Sequence, residues 1–288
     1  MITILKAWCT TIATVFANAG ALLVFATIYA FLLLASYIFI SVREATIWQV
    51  LVTYALMLLI PLGFFILQAS IINRALDQKL RWRVILTDTV KFFAVTIPVL
   101  LVVWLLYYLL SKLSARYPAP VVEVVQVNQP TRLTTPTPPP PPPPLHWPSL
   151  IFATLRFVLL GVAFPLATIH LWIAVAGGGF RTMLRGGVKS FFQGIASALA
   201  RAFSRDSVLV YGLGLIIFFV LPYVTLVPIF QLNGNKTEFV VFGLRLLLSF
   251  LFSLIGWVIT LTALTRTVPD LPSDVSAPAV AHPTEAAA

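Results

Sequence analysis

The sequence predicts an all-α integral membrane protein with six transmembrane helices in two groups of three and an interfacial amphipathic cytoplasmic helix. Three observations lead there. Apolar residues make up 60% of the chain and charged residues only 10%, against roughly a quarter charged in a soluble domain. Six charge-free runs, residues 7–42, 45–73, 92–111, 157–180, 207–235 and 246–265, each reach the roughly 20 residues that a bilayer core requires. The runs are continuous rather than alternating, so they suit helices, whose backbone hydrogen bonds are satisfied within each segment.

The third observation is the sorting of charge. With the N-terminus in the cytoplasm, Lys6, Arg74, Lys79, Arg81, Arg83, Lys91, Arg181, Arg185, Lys189, Arg201, Arg205 and Arg266 fall inside. Only Arg43, Lys112, Arg116, Arg132 and Lys236 fall outside, the bias that the positive-inside rule expects. Both termini are therefore expected in the cytoplasm of a cell (inner) membrane. The net charge of +10 is accounted for by loops facing anionic headgroups, and no nucleic acid is expected as a partner.

Four divisions follow: a first three-helix half (1–113), an extracytoplasmic Pro-rich linker (114–149), a second three-helix half (150–265) and a disordered cytoplasmic tail (266–288). The first run carries Ala17, Asn18 and Ala19, which imitate a signal-peptide cleavage site. Apolarity continues to Ile40, and cleavage would invert the charge bias, so the run is read as one retained span. Pro61, Pro98, Pro165, Pro222 and Pro228 interrupt spans two to five and predict local kinks. Before the third span, Arg81, Trp82 and Arg83 form a surface anchor.

Within the linker, residues 121–127 are β-branched enough to form a strand. Residues 138–144 are seven consecutive prolines, which adopt extended polyproline II and serve as a semi-rigid spacer or a docking segment. Between spans four and five, Phe191, Phe192, Ile195, Leu199, Ala202 and Phe203 share one helical arc, and Lys189, Arg201 and Arg205 lie opposite. This pattern places a basic amphipathic helix in the membrane interface.

On the sixth span Ser249, Ser253, Gly256 and Thr260 follow Arg245 at spacings of three and four. They form a small, polar helix face suited to close packing or to lining a polar path. Arg245 and Arg156, at the ends of apolar runs, are the candidate contacts for an anion or a headgroup; snorkelling to the surface is the alternative. His170 is the titratable residue inside a span. No acidic residue lies at the middle of any span, and His146, His170 and His282 are dispersed. Neither catalytic residues, a metal site nor a cofactor is expected. Cys9 is the sole cysteine, which excludes an intramolecular disulfide.

In span number and in the placement of its two basic loops the chain is similar to permease domains of certain ATP-driven exporters, although it carries no motif of that family. The kinked spans two to five and the polar face of the sixth would enclose a path, so the chain is read as a permease-like transport component with a cytoplasmic protein partner at the basic loops. The alternative is a non-catalytic scaffold or regulatory protein that organises partners or lipids in the bilayer.

Overall fold

A computed structural model describes residues 2–43, 46–76, 81–118, 146–179, 187–227 and 235–267. The proposed strand at 121–127, the seven prolines, Pro228 and nearly all of the C-terminal tail lie outside these residues. Helix α1 (Ile2–Ala17) precedes three spans: α2 (Ala19–Ser41), α3 (Ile47–Ala75) and α4 (Trp82–Ser114). The fourth span consists of α5 (Trp147–Phe157), a π-helical turn (Val158–Ala163) and α6 (Phe164–Ala174), and ends in a second π-helical stretch (Val175–Gly179). Helix α7 (Gly187–Ala202) leads to the fifth span, made of α8 (Arg205–Leu215), a π-helical turn (Ile216–Val220) and α9 (Leu221–Leu226). The sixth span is α10 (Asn235–Thr267).

Six of these segments are long and apolar enough to cross a membrane, and the chain is a multi-pass membrane protein. Three boundaries differ from the sequence reading. The apolar run 7–42 is not one helix but two, divided at Asn18, whose backbone leaves helical geometry at φ −106°, ψ 53°. The third span begins at Trp82 instead of Phe92, so Arg83 and Lys91 belong to a helix and not to a loop. At 33 residues it is about 50 Å long, well beyond the roughly 30 Å hydrocarbon core. Finally, Arg205 is not part of the amphipathic helix; it opens the fifth span. Ser204 is extended there and its hydroxyl accepts from Ser207 N at 3.3 Å, an N-cap that starts a new helix.

Packing is concentrated at one end of the bundle. Buried positions run from Phe65 to Asn73 on α3, Ile85 to Thr96 on α4, Leu166 to Ala176 on the fourth span and Leu254 to Thr265 on α10. An aromatic cluster ties them together: Phe92 stacks on Trp172 at 5.6 Å, and Phe65 meets Trp172 edge-on at 5.9 Å. Trp172 Nε1 also donates to Thr96 Oγ1 at 2.9 Å. This is the basic end, where Arg74 and Arg266 close their helices. Toward the far end Trp48, Tyr54, Leu58, Trp104, Ile151, Phe239 and Leu247 are exposed. In water that surface would be costly; against lipid tails it incurs no hydrophobic penalty.

Prolines in spans four and five share a device. Pro165 has no N–H for the carbonyl of Gly161, and Pro222 has none for that of Phe218. Both carbonyls sit in π-helical turns, and each is capped by a hydroxyl from the next span. Tyr211 Oη donates to Gly161 O at 2.9 Å and Ser253 Oγ to Phe218 O at 3.3 Å. The interruption that each proline makes in one helix thus becomes a bond to its neighbour.

Candidate functional site

The polar face of the sixth span is turned toward the fifth. Ser249 is buried, Ser253 caps the Phe218 carbonyl, and Thr260 donates to the carbonyl of Gly256 at 2.6 Å. A Cβ added to Gly256 would lie 2.9 Å from the backbone N of Phe218, and one added to Gly214 would overlap the Thr260 hydroxyl. Helices this close leave no room for a file of water between them. Arg245, one turn before Ser249, is half-buried and forms no hydrogen bond or ion pair with another described residue. Arg156 is held at the far end by Ser114 Oγ at 2.5 Å and lies over the Tyr107 ring at 5.7 Å. Neither Arg156 nor Arg245 lines any of the three cavities found among the described residues.

Helix α7 packs against α6, burying Ala198 and Ala202 completely. Ile195, Leu199 and Phe203 line an apolar cavity of about 330 Å³ with Val95, Val102 and Leu171. Its apolar face is thus at least partly covered by protein. Lys189 is exposed on α7, and Arg201 bonds back to Ser197 O at 3.3 Å. His170 is 3% exposed, and neither ring nitrogen has a partner among the described residues.

Two polar groupings were not anticipated. Asp88, 3% exposed near the start of the third span, accepts from Asn73 Nδ2 at 3.1 Å and from Lys91 Nζ at 2.7 Å. At the same end, Arg74 from α3 and Arg266 from α10 border one cavity of about 50 Å³ with Thr14, Asn18 and Thr262. Arg74 donates to Asn18 Oδ1, and Arg266 donates to Thr11 Oγ1 at 3.2 Å and Thr14 Oγ1 at 3.3 Å. Lys91 with Asp88 is the ion pair seen among the described residues, so neither guanidinium meets a described carboxylate.

A further cavity, about 360 Å³, lies deeper between the first, second and sixth spans, reaching Phe218 of the fifth. Tyr29, Leu33, Ile60, Phe64, Ser253 and Trp257 form much of its wall. Gln68, 1% exposed, stands at its side with Oε1 accepting from Trp257 Nε1 at 2.8 Å. Among the described residues no three His, Cys, Asp or Glu side chains gather as a metal site would need. Comparison with protein-family models, curated proteins and solved structures finds no match.

Proposed function

We propose that this polytopic protein is a non-catalytic scaffold that organises lipids and partners in the membrane, with its basic end in the cytoplasm. The observation that carries this reading is the closure of the sixth span's polar face upon the fifth. A permease needs a polar route between the two membrane surfaces, and the face best suited to line one is spent on helix packing at Gly256 and Thr260, while Ser253 borders a mostly apolar cavity. The larger cavities have mostly apolar walls and suit hydrocarbon better than a hydrated solute. Arg81, Arg83, Lys189 and Arg205 are exposed near the basic end, where they attract anionic headgroups and are available to a cytoplasmic partner.

Thiol accessibility tests this. In a Cys9→Ser background, Ser253→Cys and Thr260→Cys are expected to stay unlabelled by a membrane-impermeant thiol reagent applied to either side of sealed vesicles. Exposed Lys189→Cys is the positive control and labels from one side only. Labelling at both stripe positions would restore an aqueous path and the permease reading. Recovery of stoichiometric ATPase subunit on mild-detergent purification would do the same.

A further inference from the structure

Arg74 and Arg266 end two different spans, yet both border one small cavity, and the described residues around them supply only neutral oxygens. Arg74 has the Asn18 amide; Arg266 has the hydroxyls of Thr11 and Thr14 at 3.2 and 3.3 Å. Two guanidiniums that meet no carboxylate among the described residues favour an external oxyanion, which planar forked donors bind well. The space between them, about 50 Å³, holds on the order of three or four waters and suits one phosphate group. Thr14, Asn18 and Thr262 line the rest of it.

The same three helices continue downward into the 360 Å³ cavity. Leu22 and Phe25 border the upper space and Tyr29 and Leu33 the lower, all on α2; Ile71 and Phe64 do so on α3, and Thr262 and Ser253 on α10. From Arg74 to Phe64 is ten residues, about 15 Å along a helix. That is half the roughly 30 Å hydrocarbon core, the distance between an interfacial phosphate and the end of an acyl chain. Gln68 lies between these levels. Its Oε1 is taken by Trp257, and its amide nitrogen donates to no described residue, which leaves N–H groups for an ester carbonyl.

We propose that the groove between the first, second and sixth spans binds one anionic phospholipid, its phosphate between Arg74 and Arg266 and an acyl chain in the cavity lined by Leu33, Phe64 and Ser253. The inference rests on the lipid-organising reading above and assigns it a site and a ligand class. Charge selects the headgroup, and the cavity selects for a chain. Arg245 and Arg156 line neither cavity and take no part.

Native mass spectrometry of the full-length, delipidated protein in mild detergent tests it. Phosphatidylglycerol and phosphatidylcholine are added in separate titrations, and the phosphatidylglycerol titration is repeated in the presence of inorganic phosphate. One phosphatidylglycerol is expected to bind at least tenfold more tightly than phosphatidylcholine, and inorganic phosphate is expected not to compete at equal concentration. The Arg74→Gln, Arg266→Gln double variant loses that preference at least tenfold, whereas Arg245→Gln retains it. Because the double variant also loosens α1, Leu33→Trp supplies a second measurement: it fills the lower cavity, leaves both arginines intact and weakens binding of both lipids. Equal binding of phosphatidylglycerol to wild type, to the double arginine variant and to Leu33→Trp would overturn the proposal. Effective competition by inorganic phosphate would also overturn it, making the arginine pair a soluble-anion site. If the lipid fails to bind while Ser253→Cys and Thr260→Cys stay unlabelled, the site falls and the scaffold reading stands. If they label, the scaffold reading itself falls.

Discussion

Gly256→Ala is expected to destabilise the protein by about 1–3 kcal/mol or more, the usual cost of forcing extra volume into a tight contact. Its new Cβ would stand 2.8 Å from Ile217 Cγ2, 2.9 Å from the backbone N of Phe218 and 3.0 Å from Phe218 Cβ. The isoleucine methyl can rotate away; the backbone nitrogen cannot move without the π-helical turn that carries it. That turn already holds the Phe218 carbonyl against Ser253, so a displacement also strains the bond that caps the proline-freed group. Trimming the neighbour with Ile217→Ala should therefore give little relief.

Gly214→Ala should behave differently, although it too meets the sixth span. Its clash is with the side chain of Thr260: Oγ1, Cγ2 and Cβ. Thr260→Ala removes two of these three atoms and leaves only Cβ, 2.9 Å away, so the double variant should recover part of the lost stability. Non-additivity of this kind is expected for residues in contact. Thermal midpoints in detergent, followed by tryptophan fluorescence, would measure all five variants. A Gly256→Ala protein as stable as wild type would mean that the fifth and sixth spans are farther apart than described, and a polar path between them would become admissible again.

The spans themselves were legible because a bilayer imposes a single simple requirement, about 20 apolar residues in a row. An apolar run is a local signal, and two boundaries depend on more than that. Residues 7–42 read locally as one span, although 36 residues of helix would reach about 54 Å. That excess length, with Asn18 near its middle, was the available sign that α1 is separate. Charge alone places the start of the third span after Lys91, but a charge does not by itself end a helix. Asp88 and Lys91 are three apart and neutralise one another on the same helical face, so the helix runs on to Trp82.

Other features could not be read from the chain. In the sequence Arg74 and Arg266 read only as boundary charges on the basic side, separated by about two thirds of the chain. Nothing in local spacing brings them to one cavity; the antiparallel course of α3 and the packing of α10 do so. Pro165 and Pro222 were visible as interruptions, but the hydroxyls that satisfy the freed carbonyls come from residues 50 and 35 positions away. By contrast, the small-residue spacing along α10 was plain in the sequence, and what the structure adds is the identity of the helix it faces.

Asp88→Leu should be the most damaging single change at the basic end. It would strand the Lys91 ammonium, whose side chain is 30% exposed, and remove the acceptor of Asn73 Nδ2, which is buried and whose Oδ1 already lacks a partner. Removing one member of a buried ion pair costs about 3–5 kcal/mol, with the lower end expected here because Lys91 reaches the surface. The double variant Asp88→Leu, Lys91→Leu should regain much of this, since replacing both charges with apolar groups is often neutral. It leaves the Asn73 amide unmet at about 1–3 kcal/mol, and adding Asn73→Leu should remove that cost as well. Unfolding midpoints of the single, double and triple variants decide the matter. A triple variant as stable as the natural sequence would mean that a buried carboxylate, an amide and a lysine are not required for folding, and that their place beside the basic interface has to be explained by binding. Progressive loss across the series would instead make the cluster the polar clamp that joins the second span to the third.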